Sequence, residues 1–117
     1  MRNALTFHIF FRTKYRRAEL SESIASTLEA IGPGLAVQFG AEVLAFAIHD
    51  DDHVHLLVNL PATKAPADFC RDWKSATSRR VNPRPGEAFW QKRFLIKPVV
   101  QTRGNIDKVI QYINRYK

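Results

Sequence analysis

The 117 residues contain a single cysteine, Cys70. One thiol excludes an internal disulfide and a cysteine-built zinc centre. No apolar run approaches the ~20 residues that cross a bilayer. The opening residues also lack the charged-then-apolar layout of a secretion leader, so a reducing cytoplasm and no membrane partner are expected. Repeats, low-complexity tracts and linkers are missing too, and the length suits one domain over residues 1–117. Acidic residues are scarce in one region: residues 71–103 hold two, Asp72 and Glu87, against nine Lys and Arg. Residues 19–68 hold eight of the 11 acids and one Lys. A net charge of +7 segregated in this way suits a polyanionic partner, because clustered cations release counterions from phosphates. A generic basic surface is the other reading.

What is present is a run of period changes. Leu5, Phe7, Ile9 and Phe11 alternate with Thr6, His8, Phe10 and Arg12, the mark of a strand with one apolar face. Leu20, Ile24, Leu28 and Ile31 recur at helical spacing, and Gly32-Pro33 is expected to stop that helix. A second strand is expected over Glu42 to His49, with Leu44, Phe46 and Ile48 on one side, and the acidic turn Asp50-Asp51-Asp52 leads into a third over His53 to Leu60. Pro66 opens a helix that Asn82-Pro83 closes after Val81. Phe89 to Val100 reads as a fourth strand and Asn105 to Tyr116 as a last helix. The order β-α-β-β-α-β-α predicts an α+β fold: a ferredoxin-like antiparallel sheet with two helices on one face, and the extra C-terminal helix on the other.

Two segments carry chemistry. On the third strand Val54, Leu56, Val58 and Leu60 share the core face, and His53, His55, Leu57 and Asn59 point the other way. Imidazoles two residues apart on a strand have Cα atoms roughly 7 Å apart and can converge on one ion. A solvated or hydrogen-bonded pair is the alternative. Asp52 can orient a ligating His53 from behind, or serve only the turn. In the last helix the apolar stripe is Ile106, Val109, Ile110 and Ile113, and Tyr112 sits about 110–120° from its centre, with Lys108 and Tyr116 on the same flank. Tyr112 is therefore placed to reach beyond the core, or to serve an interface. On the second helix Phe69, Trp73, Thr77 and Val81 form the inward stripe, leaving Arg71, Lys74, Arg79 and Arg80 as an outer basic surface. Lys92, Arg93 and Lys97 surround Trp90, which either stacks on bases or anchors a loop.

The order of these pieces, "FHIFFRTKYRR", "DDHVHLLVNLP", "DFCRDWKSATSRRV", "FWQKRFLIKPV" and "NIDKVIQYINRY", resembles the single-tyrosine HUH transposases of insertion-sequence-two-hundred-type elements and their REP-associated relatives. The resemblance spans nearly the whole chain. It implies a metal-dependent transposase and endonuclease acting on single-stranded DNA with hairpin-forming ends. Tyr112 would be the nucleophile, giving a 5′-phosphotyrosine and a free 3′-OH. His53 and His55 would hold Mg2+ or Mn2+, of which imidazole suits Mn2+ better. Arg71, Lys74, Arg79, Arg80, Lys92, Arg93, Lys97 and Lys108 are the expected DNA-binding cations. The family commonly has Gln or Asn as third ligand four residues after the tyrosine; here Tyr116 stands there, so Tyr116, Asn105 and His8 are the candidates for completing the shell. A non-catalytic nucleic-acid-binding relative is the alternative. Relatives form dimers, so a homodimer with Tyr112 working in trans is also implied. A two-histidine phosphoesterase is disfavoured, since neither His8-Ile9-Phe10 nor His49-Asp50-Asp51 supplies a second His-x-Thr/Ser motif.

Overall fold

Alternating apolar side chains near the N-terminus make β1 (Ala4–Arg12) the spine of a four-stranded antiparallel sheet. In this computed structural model residues 4–14, 21–50, 52–84 and 86–115 are described. The other elements are α1 (Glu22–Gln38), β2 (Glu42–His49), β3 (His53–Pro61), α2 (Pro66–Val81), β4 (Leu95–Val99) and α3 (Arg103–Asn114). Hydrogen-bonded neighbours run β2-β3-β1-β4, so the expected ferredoxin-like α+β arrangement is the one observed. On one face Ile9, Phe11, Phe46, Val54, Leu56, Val58 and Leu60 pack with α1 and α2 in the main core. The opposite face carries a smaller cluster in which Ala45, Ala47 and Leu57 receive Ile113 of α3. Two alanines leave the shallow seat that lets a helix approach the strands.

The α2 stripe of Phe69, Trp73, Thr77 and Val81 is buried as its spacing predicts. Trp73 stacks on Phe11 at 4.6 Å between ring centroids, and its indole N–H donates to the Gly32 carbonyl at 3.0 Å. This contact explains a departure from expectation in α1. The helix does not stop at Gly32-Pro33 but runs on to Gln38 with Pro33 inside it. An interior proline costs roughly 3 kcal/mol, and burial of Leu35 and Ala36 in the following turn offsets it. Gly32 is there for close approach: a Cβ would lie 3.0 Å from the Phe46 ring. The stop is Phe39-Gly40, where Gly40 takes φ 97° and its N–H donates to the Val37 carbonyl.

Two strands also differ from expectation. The β2–β3 register shifts between Val43 and Ala45, so Leu44 is an extra residue and joins the α3 face rather than the side of Phe46 and Ile48. The fourth strand is confined to Leu95–Val99, because Phe89 and Trp90 turn into the core and only an isolated bridge links Trp90 to Thr13. Trp90 donates from its indole N–H to Thr77 Oγ1 at 3.0 Å and is 4% exposed, so it is the loop anchor and not a base-stacking platform. Lys74 braces the same segment, its Nζ donating to the Gln91 and Lys92 carbonyls. Pro98 lacks an N–H and is accommodated because β4 is an edge strand. No helix among the described residues is long and apolar enough to cross a membrane.

Candidate active site

The α3 face of the sheet is where the polar side of each strand becomes useful. A one-residue alternation puts His8 on β1 and His53 and His55 on β3 on this face, and antiparallel pairing sets His49 of β2 opposite His53. The turn between the two strands is tight. Asp50 adopts φ 54°, a left-handed conformation that Asp tolerates. The Thr13 N–H donates to the Asp52 carbonyl at 2.8 Å, tying the turn to the end of β1.

All four histidines of the chain meet here. His53 Nε2 lies 3.0 Å from His49 Nδ1, His55 Nε2 lies 3.2 Å from the same atom, and His55 Nδ1 lies 3.1 Å from His8 Nε2. His53 Nδ1 is 2.5 Å from Asp52 Oδ1. An ionised carboxylate can only accept, so the proton on His53 sits at Nδ1 and Nε2 keeps its lone pair. Burial holds His55 down to about 3, reinforced by repulsion from His8, His53, His49 and Arg12. His8 is lowered to about 4, by burial first and by Lys97 second. Both are therefore neutral near pH 7, the form in which an imidazole binds a cation.

The donor set fits a divalent ion. One nitrogen from each of His49, His53 and His55 lies within 4.8 Å of the others. Cis ligands bound at ~2.0–2.1 Å are about 2.9–3.4 Å apart, and the two measured edges of 3.0 and 3.2 Å fall in that range. Sequence spacing pointed to His53 and His55 but missed His49 as a partner. Its signal was the hairpin itself, which pairs residue 49 with residue 53 across the acidic turn.

Tyr112 of α3 stands over this cluster, its ring centroid 5.9 Å from that of His55 and 6.2 Å from that of His8, and the residue is 40% exposed. Beside it opens a cleft of about 480 Å³ bordered by Phe10, Arg12, Arg93, Leu95 and Lys97. Lys97 Nζ lies 5.4 Å above the Phe10 ring. A second hollow joins Tyr112 and Lys108 to His8, and a third joins Asn105 and Lys108 to His8 and Lys97. The Asn105 backbone N–H is capped by Thr102 Oγ1. Tyr116 lies outside the described residues.

The expected cations divide into two groups. Arg93, Lys97 and Lys108 adjoin Tyr112, as does Arg12, which charge counting had passed over. Arg71, Arg79 and Arg80 are exposed on α2, which packs on the other face of the sheet; Arg71 pairs with Asp68 and Arg79 donates to Ser75 Oγ. Lys92 is exposed in the loop before β4, and Lys74 is engaged by carbonyls there.

Comparison with known proteins identifies the family and the fold. Residues 1–116 match the family described as "Transposase IS200 like". The ISDra2 transposase TnpA of Deinococcus radiodurans is 31% identical over 116 residues, covering 92% of this chain and 82% of that protein. A crystal structure of a candidate transposase from Deinococcus radiodurans R1 superposes with a TM-score of 0.73 at 26% identity, over 97% of this chain and 91% of that one. A REP-associated tyrosine transposase bound to a REP hairpin shares the fold at a TM-score of 0.73 and 18% identity, over 97% of this chain and 66% of that one.

Proposed function

The chain belongs to the IS200-like transposase family, and from that premise we propose that it cuts and rejoins single-stranded DNA through Tyr112, with His53 and His55 holding a divalent metal. The observation that carries the reading is the edge-on approach of the Tyr112 ring to His55 and His8 within one histidine cluster.

The phenol oxygen of Tyr112 attacks phosphorus, the bond from phosphorus to O3′ breaks, and the departing O3′ takes up a proton while the phenol proton passes to solvent. A 5′-phosphotyrosine and a 3′-OH result. A 3′-OH then attacks the phosphotyrosine and restores both the phosphodiester and the phenol, so no external energy source enters. A bound divalent ion would supply charge withdrawal from a phosphate oxygen, easing attack. Lys97 and Lys108 put positive charge beside Tyr112, where the transition state gathers negative charge. Arg12 and Arg93 border the adjoining cleft and hold the flanking phosphates, and Phe10 offers a ring face to a base. The cations of α2, Arg71, Arg79 and Arg80, belong to a second, peripheral contact with the duplex stem of a hairpin. The hairpin ligand of the REP-associated neighbour supports that choice of substrate. A homodimer completes the reading.

The test incubates the chain with labelled single-stranded hairpins and Mn2+ and looks for a denaturation-resistant adduct. Tyr112→Phe removes the adduct and keeps DNA binding. An adduct that persists in that variant assigns the nucleophile elsewhere, and binding without any cleavage by the unaltered chain marks a non-catalytic relative.

A further inference from the structure

His49 lies six residues before His55 on a different strand, outside the His-Val-His pair, yet its Nδ1 is the atom that both Nε2 nitrogens of that pair approach, at 3.0 and 3.2 Å. Taken as hydrogen bonds alone, these contacts are awkward. His53 Nε2 carries a lone pair because Asp52 holds the proton on Nδ1. His49 Nδ1 offers either one proton, which two acceptors would share, or one lone pair, which faces the lone pair on His53 Nε2. One cation answers three lone pairs without conflict.

We propose that His49 is a third metal ligand, making a three-imidazole centre that selects a borderline transition metal over Mg2+. This deepens the metal-dependent reading above and rests on it for the roles of His53 and His55.

Each imidazole is also backed on its outer nitrogen, as ligating histidines are. His53 Nδ1 has Asp52 Oδ1 at 2.5 Å, His55 Nδ1 has His8 Nε2 at 3.1 Å, and His49 Nε2 has Asp50 Oδ2 at 3.5 Å. For His55 to bind through Nε2, its Nδ1–H donates to His8, which must then carry its own proton on Nδ1. His8 is buried with its Nε2 facing His55 Nδ1, so it can take that role. The turn is built for the same end: the left-handed Asp50 brings His49 and His53 face to face across the ladder. Three nitrogen donors favour ions in the order Mn2+ below Co2+ below Ni2+, with Zn2+ also strong, whereas Mg2+ prefers oxygen and keeps its water. The centre thus gains its third protein ligand from the hairpin, independently of the tyrosine helix.

The full chain is stripped with chelator, dialysed, and titrated with Co2+ while visible absorption is followed, with Mg2+ as competitor. The unaltered chain binds Co2+ and keeps it in millimolar Mg2+. His49→Ala weakens Co2+ by more than the roughly 10- to 100-fold that loss of an outer partner costs, and the number of exchangeable, paramagnetically shifted imidazole N–H resonances falls from three to two. His49→Gln, which keeps a polar side chain in the turn, behaves alike, and far-UV circular dichroism checks that both variants fold. Native Co2+ affinity and an unchanged resonance count in both variants would overturn the proposal, as would displacement of Co2+ by equimolar Mg2+. If His53→Ala and His55→Ala likewise leave binding untouched, the metal reading itself fails, which separates the two conclusions.

Discussion

At the scale of single residues, the pair of buried neutral imidazoles makes stability depend on pH. His55 and His8 are depressed to about 3 and about 4, whereas in the unfolded chain each titrates near 6.5. Between pH 6.5 and 4 the unfolded chain therefore binds protons that the folded chain does not. Stability from these groups is complete above pH 6.5 and is lost as pH falls toward the folded values. The metal-free protein, unfolded with urea in chelator, is expected to lose roughly 1 to 3 kcal/mol per pH unit between pH 6 and 4. His8→Leu flattens that slope, and an unchanged slope in the variant would mean that His8 is not buried neutral. Cys70 shows the same physics with opposite sign, its thiol pushed up to about 12 by burial, which makes it inert packing rather than a nucleophile.

Elements are where local spacing succeeds or fails for identifiable reasons. The α2 helix was legible from end to end because Pro66 and Asn82-Pro83 mark both ends chemically, and its stripe has one partner surface. The His53–Pro61 strand was legible because both of its faces carry a period of two. The end of α1 was not, since Gly32 is needed for its missing Cβ beside Phe46 and Trp73, and glycine spacing cannot distinguish contact from termination. Leu44 was misplaced because a bulge shifts alternation by one residue without leaving a compositional mark. His49 was overlooked because its link to His53 and His55 is a pairing across a turn, not a spacing along a strand. For α3 the stripe and the sheet face that receives it were legible, but whether that face belongs to its own chain was not, and Ala45 and Ala47 were the clue. Ile113 is the one residue of α3 that is fully buried, so Ile113→Ala is expected to cost about 2–4 kcal/mol in urea unfolding and to lower adduct yield with it. A cost below ~0.5 kcal/mol, the size of a surface substitution, would show that α3 does not dock on β2 and β3 in solution.

For the whole molecule, the decisive relation is that the helix carrying Tyr112 packs on its own sheet, above its own histidines. The sequence resemblance implied dimers with an exchanged tyrosine, whereas the single chain already brings Tyr112 beside its own imidazoles. A mixture of Tyr112→Phe and His55→Ala chains is therefore expected to stay inactive in the adduct assay, even if it dimerises. Restored adduct in the mixture would establish exchange between subunits. Charge follows the same division: Arg12, Arg93, Lys97 and Lys108 surround the site on one side of the sheet, and the α2 cations occupy the other. A strand threaded through the cleft and a stem resting on α2 would clasp the sheet from both sides.

The shallow alanine seat has a further consequence. The main core locks α2 with six buried side chains, whereas α3 buries only Ile113 fully, with Ile106, Val109 and Ile110 packed half-buried beside it. Opening free energy is distributed according to such burial, so α3 is, of the three described helices, the one expected to detach at least expense while the imidazoles stay on the sheet. In the proposed reaction a DNA end tethered to Tyr112 would then ride on the most releasable of the three helices, able to swing clear and return without global unfolding.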